Sequence, residues 1–212
     1  MDQLSFFDTG LLPVTPADVG SLLLAHGHSQ LLFGDADTTR GRRKKPIPQS
    51  ARISILLTDE WRATRLDSVV RRANIPVVVE AQTAEDGSPQ WLVRMESPDL
   101  LPVVQAWTKG AVKTVPPQWQ PTSTAVQIWA TVAGVRDDMG FRLGLDPHIA
   151  DHPQLLKIVQ GALARSGVSA VFVGVRAGGP AVRVQGQRRL RNLMLMVGDP
   201  PPGHSWEAPA GT

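Results

Sequence analysis

The stretch TSTAVQIWATVAGVRDDMG (122–140) decides how this chain is read, together with its shorter counterpart TPADVGSLLLAHG (15–27). Residues 122–135 pattern as a helix, with the small residues Ala133 and Gly134 near its end. In the counterpart, Thr15 is placed to cap a helix, Pro16 suits the first helical position, and Asp18 suits the positive end of the dipole. That helix runs through Val19, Leu22, Leu23 and Leu24 and stops at Gly27.

Outward from these two helices the same order of elements follows twice. In the first half, QLLFG (30–34) is a short strand and ARISILL (51–57) a β-branched one; TDEWRATRLDSVVRRA (58–73) is a helix with early acids and late arginines. IPVVVEAQ and PQWLVRM flank TAEDGS, whose Asp86-Gly87 pair is a hairpin signal. A helix capped by Ser97 and stopped by Gly110 closes the half, bent or delayed by Pro102. In the second half FRLGL (141–145) is a strand and DHPQLLKIVQGALARSG (151–167) a helix. VSAVFVGVR and PAVRVQG are strands around AGG, and QRRLRNLMLMVG is the closing helix. The expected organisation is a flexible leader (1–14), a first half (15–112), a linker (113–121), a second half (122–198) and a Pro/Gly-rich disordered tail (199–212).

The nonamer VAGVRDDMG (132–140) and the weaker VGSLLLAHG (19–27), each opening an α/β half, resemble the motif helices of the LAGLIDADG homing-endonuclease superfamily. LLLAHGHS is also similar to the degenerate motif helices of WhiA-type sporulation regulators, although no helix-turn-helix segment follows residue 198 here. The resemblance implies an α+β fold of two pseudo-symmetric halves whose antiparallel sheets form a saddle over DNA. The two motif helices would pack through Ser21, Ala25, Gly27, Ala133, Gly134 and Gly140. In the family an acid at the penultimate motif position binds the metal that activates water. Those positions here hold His26 and Met139, and a thioether cannot bind Mg²⁺, which wants hard oxygen ligands. Asp137 and Asp138 lie two and one positions early and, at about 100° per helical residue, point elsewhere. They are the candidates for a residual Mg²⁺-dependent nuclease; otherwise no metal or cofactor is expected.

Composition narrows the remaining classes. With 42% hydrophobic and 19% charged residues the chain is globular, and without cysteine it can form neither a disulfide nor a thiolate metal site. The acidic amino terminus is unlike a signal peptide, and no apolar run approaches the roughly 18 residues of a membrane span, so the expectation is a cytoplasmic monomer without membrane contact. His26 and His28 lack a third ligand and read as ordinary helix-end histidines. Trp61, Trp91, Trp107, Trp119 and Trp129 read as core and interdomain packing.

Net charge is only +3, but it is segregated. Residues 1–39 hold five acids and no Lys or Arg, residues 40–75 are strongly basic, and residues 161–197 carry six arginines and no acid. Such a distribution suits a polyanion partner. Strand alternation places Arg52, Ser54, Glu80, Gln82, Gln90, Arg94, Arg142, Arg176, Arg183 and Gln185 on outer faces, with Val171, Val173 and Val175 inward. Guanidinium and amide groups read guanine, adenine and phosphate. Arg40, Arg42, Arg43, Lys44 and Lys45 would follow the phosphate backbone from a hairpin loop. The expected function is therefore non-catalytic duplex-DNA binding, in regulation or DNA maintenance. The alternatives are a metal-dependent site-specific endonuclease and a module that binds an acidic protein.

Overall fold

The computed structural model describes residues 13–34 and 46–207. Helix α1 (Pro16–Val19) continues as a 3-10 turn over Gly20–Leu24. Strands β1 (His28–Phe33) and β2 (Pro48–Leu57), helix α2 (Glu60–Arg71), and strands β3 (Val77–Thr83) and β4 (Pro89–Ser97) follow. A 3-10 turn (Pro98–Leu100) leads into α3 (Leu101–Trp107), and the short pair β5 (Thr108–Lys109) and β6 (Val112–Lys113) ends the half. The second half comprises α4 (Ser123–Ala133), β7 (Gly134–Asp137), β8 (Gly140–Gly144), α5 (Pro147–Asp151), α6 (Pro153–Arg165), β9 (Ala170–Val173), β10 (Ala181–Val184) and α7 (Gln187–Val197). The protein is α+β. Its two large sheets are antiparallel and share one strand order, β1-β2-β4-β3 and β7-β8-β10-β9.

Alternation along the strands makes the core. In β2, Ala51, Ile53, Ile55 and Leu57 are buried, as are Val93 and Met95 of β4, beneath Ala63, Leu66 and Val70 of α2. In the second sheet Phe141, Leu143, Val182 and Val184 face inward. All join one apolar cluster. Each fully buried Leu, Ile or Phe stabilises such a core by about 1.5–3 kcal/mol.

At the centre α1 and its 3-10 continuation lie against α4. Asp18 ties their starts together: one carboxylate oxygen accepts from the Thr15 amide (2.8 Å) and hydroxyl (2.9 Å), and the other from the hydroxyl of Thr122, which caps α4. Ser21 and Ala25 are buried. Gly20 must be small, because a Cβ there would overlap the Trp107 indole. Beyond the 3-10 turn the Asp146 amide donates to the Leu24 carbonyl (2.6 Å), and Lys113 bridges the Ala25 carbonyl (3.1 Å) and the Asp146 carboxylate. The supposed linker is thus a packed segment, with Val115 in the core.

Several sequence expectations are corrected. Residues 132–140 are not one helix. Gly134 turns extended (φ −85°, ψ 133°) and caps α4, Gly134–Asp137 pairs as β7, and Asp138-Met139 forms the tip of a two-residue hairpin. Gly140, with φ +143° and its Cα against the Val184 carbonyl, serves that hairpin and not a helix contact. Asp137 seeds the turn by accepting the Met139 amide (3.0 Å). Met139 is therefore an exposed tip residue, and the residue ending α4 is Ala133. In β9 only Val173 is buried as expected; Val171, beside Arg183, and Phe172, beside Val182, are both exposed. Val175 and Arg176 occupy a 3-10 turn (Val175–Ala177) after the strand.

The boundaries move as well. The leader's Val14 is buried, while residues 1–12 lie outside the described residues. Residues 199–207 of the supposed disordered tail pack back on the molecule. Trp206 is buried, its carbonyl accepts the Arg136 amide (2.7 Å), and its ring meets Trp61 and Phe141 edge-on.

Candidate nucleic-acid interface

The outer face of the first sheet follows from the register. Arg52 lies between Gln30 and Glu96, Ser54 between His28 and Arg94, and Leu56 beside Leu92; Val78, Glu80 and Gln82 complete the edge. Alternation therefore brings together Arg52, Ser54, Glu80, Gln82, Gln90 and Arg94 as the sequence implies. Their guanidinium groups are not unpaired. Arg52 makes two hydrogen bonds to one oxygen of Glu96 (2.7 and 3.1 Å), and Arg94 pairs with Glu80. The two pairs leave Arg52, Arg94, Glu80 and Glu96 with no net charge. Both lie at the surface, with side chains 37–45% exposed.

The second sheet is different. Arg142 and Arg183 are cross-strand neighbours and converge on one oxygen of Asp137. Arg183 donates to it at 2.8 Å, and Arg142 Nε lies 2.8 Å away but off the hydrogen-bond direction. Arg142 also donates to the Gly178 carbonyl. Arg183, expected at the surface, is buried, because β10 is an interior strand and Asp137 and Met139 fold over its guanidinium. Asp138 is exposed at the hairpin tip beside it.

Arg176 is exposed in its turn, and Gln185 lies just past β10 on the rim of a cleft of about 560 Å³ shared with Arg188 and Arg189 of α7. Arg40, Arg42, Arg43, Lys44 and Lys45 fall outside the described residues. Sequence reasoning passed over Arg188, Arg189 and Arg191, although the acid-free run contains them, because it sought arginines on strands. All three are exposed on α7, as are Lys157 and Arg165 on α6.

The ends of the two central helices meet at a second cleft, of about 220 Å³, lined by His26 and Ala133 together with Val135, Arg142 and Gly144. His26 is exposed and Gly27 buried; a Cβ on Gly27 would press on the Leu22 carbonyl. Gly134 is hemmed in the same way by the Ala130 carbonyl. Among the described residues no group of three or more His, Asp or Glu is placed to hold a metal ion, and no helix is long and apolar enough to cross a membrane.

One buried arginine is structural. Arg62 of α2 donates to the carbonyls of Thr131 (2.9 Å), Gly134 (2.9 Å) and Ala130 (3.4 Å), closing the C-terminus of α4 in the other half. Burial lowers its pKa, with Asp59 opposing, and arginine remains charged even so. Burial acts likewise on Arg65, which donates to the Val197 carbonyl (2.7 Å). No protein-family model matches the chain, and no curated protein matches it.

Proposed function

We propose that the chain is a non-catalytic duplex-DNA-binding protein. The observation that carries this reading is the run from residue 152 to 198, which holds Lys157, Arg165, Arg176, Arg183, Arg188, Arg189 and Arg191 and no Asp or Glu. Of these, only Arg183 is buried against a carboxylate. The basic segment Arg40–Lys45 adds to the excess. A surface of that kind attracts a polyanion by releasing its counterions.

The doubled strand order and the central helix contact support the LAGLIDADG resemblance and, with it, a saddle-shaped DNA site. Matching the two helices by their ends sets Gly27 against Gly134 and His26 against Ala133. On that match neither helix ends in an acid, which favours binding without cleavage. The Asp137 carboxylate is engaged by Arg142 and Arg183, which counts against it as a metal ligand. Leu56, Val78 and Val171, exposed among the arginines, favour a second reading in which the faces meet an acidic protein.

Titration of a labelled duplex at two salt concentrations tests the proposal. DNA binding gives an affinity that falls steeply with salt, by roughly 0.9 in log–log slope per phosphate contacted. Absence of binding at low salt sinks it and leaves the protein-partner reading. Specific Mg²⁺-dependent nicking, abolished by Asp137→Ala, would establish the nuclease instead.

A further inference from the structure

Asp137 has more cations than it can neutralise. One of its oxygens faces both Arg142 and Arg183, while the other accepts the Met139 amide. Among the described residues no other carboxylate lies within ion-pair distance of either arginine. The cluster therefore carries one positive charge in excess. Arg183 is 8% and Arg142 19% exposed, and neither Nε has a hydrogen-bond acceptor. An uncompensated charge in a partly dry site is unfavourable, and the same low dielectric strengthens its attraction for an incoming anion.

The cluster has an opening. Arg142 and His26 both line the cleft between the two central helix ends, and the small residues Ala133, Gly144, Gly178 and Gly179 make room. No Asp or Glu lines this cleft. With Nε of Arg142 against Asp137 and Nη1 on the Gly178 carbonyl, Nη2 is the guanidinium nitrogen left to donate to an oxyanion, and an imidazole supplies a further donor.

We infer that this cleft is an oxyanion site for a phosphate group, with Arg142 as its anchor, His26 as the second donor and Arg183 as the buried charge behind them. The identity of the ligand as a DNA phosphodiester rests on the function proposed above; the site itself rests on the charge imbalance and the cleft. In this arrangement arginine supplies the positive charge at the helix ends, so a phosphate is held there without metal-activated water.

The test uses the full chain with inorganic phosphate as the probe. Thermal unfolding is followed in sodium phosphate and in sodium chloride of equal ionic strength, for the wild type, Arg142→Gln and His26→Ala. A bound anion raises stability with its concentration in proportion to ln(1 + [L]/Kd). The general salting effect of phosphate is common to all three proteins and cancels in the comparison. The expected result is a specific increment in the wild type that disappears in Arg142→Gln and needs several-fold more phosphate in His26→Ala. His26 is exposed, so its removal keeps the comparison valid if Arg142→Gln fails to fold. Equal increments in the wild type and His26→Ala, or none beyond chloride, would overturn the site.

A second arm measures duplex DNA. Loss of one phosphate contact in Arg142→Gln, or in His26→Ala if the former is unfolded, should lower the log–log salt slope by up to about 0.9. An unchanged slope with a lost phosphate response refutes the phosphodiester assignment. A phosphate response without any DNA binding fails the DNA reading and leaves the oxyanion site standing.

Discussion

Replacing Arg62 by Met should be among the most damaging single changes in this protein. The Arg62 guanidinium reaches from α2 of the first half to the carbonyls of Thr131 and Gly134, both at 2.9 Å, and more distantly to Ala130, at the end of α4 in the second. It is held between Asp59 (3.0 Å) and the faces of Trp61 and Trp206, at 4.7 and 5.6 Å from their centroids. Met refills the aliphatic stem but donates nothing, so the helix-end carbonyls stay buried and unpaired. A hydrogen bond from a charged donor is worth about 1.5–3 kcal/mol, and two good ones set the scale. The ion pair contributes little, because the partly exposed Asp59 rehydrates on release. The expected loss is about 3–5 kcal/mol, the usual cost of removing one partner of a buried charged contact. That is a large part of the roughly 5–15 kcal/mol that holds a domain folded. Urea unfolding followed by tryptophan fluorescence measures it, and at a slope of about 2–3 kcal/mol/M the midpoint should fall by about 1–2.5 M. Arg62→Lys should land between the two, since one ammonium cannot span the separated carbonyls. A loss below about 1 kcal/mol for the Met variant would refute the claim that this guanidinium closes α4.

Trp206→Ala should cost about 3–5 kcal/mol, the usual range for emptying a buried tryptophan site; calorimetry showing no change would mean that residues 199–207 do not pack as described. Gly140→Ala should destabilise by about 2 kcal/mol or more, because φ is +143° and the new Cβ meets the Val184 carbonyl; an unchanged melting temperature would contradict that hairpin geometry. The double variant Glu80→Gln, Glu96→Gln should leave stability within about 1 kcal/mol, as exposed pairs are worth little. If the first sheet lies on DNA, the same variant should steepen the salt dependence of binding, and an unchanged slope would take that face off the nucleic acid.

Much of the frame was legible because it is written in local chemistry. Thr15, Pro16 and Asp18 form the start that their types suggest, Ser97 accepts the Asp99 amide at a turn, and Asp86-Gly87 sits between β3 and β4. The inward set of β2 follows from alternation alone. What failed depends on partners distant in sequence. Nothing local in ATVAGV says that Gly134 leaves the helix; the pairing of Gly134 with Leu143 does. The proline-rich segment after Gly198 has a loop's composition, and one tryptophan anchors it. Outward arginines could be read from β2 and β4, but their neutralisation could not. Glu96 meets Arg52 only through a register that spans 44 residues.

The arginines of the two sheets are therefore not equivalent as ligands for a polyanion. Arg52 and Arg94 sit in exposed pairs whose net worth is about 0–1 kcal/mol, so a phosphate or a guanine edge can take either guanidinium at small cost. The released Glu80 or Glu96 can in turn accept from a cytosine amine, which makes this face suited to reading sequence and poorly suited to drawing DNA in. Arg142 and Arg183 are fixed against Asp137 and cannot swing out, yet they keep an unneutralised charge at a fixed place. Together with the exposed arginines of α7 they give the second half a long-range attraction, to which the basic segment 40–45 adds in the first. On the proposed function, a duplex is drawn in by these charges and by residues 40–45, and not by the paired arginines of the first sheet, since charges farther than about 8 Å are screened at physiological salt. The neutral first sheet would act only after contact, through exchange of its ion pairs.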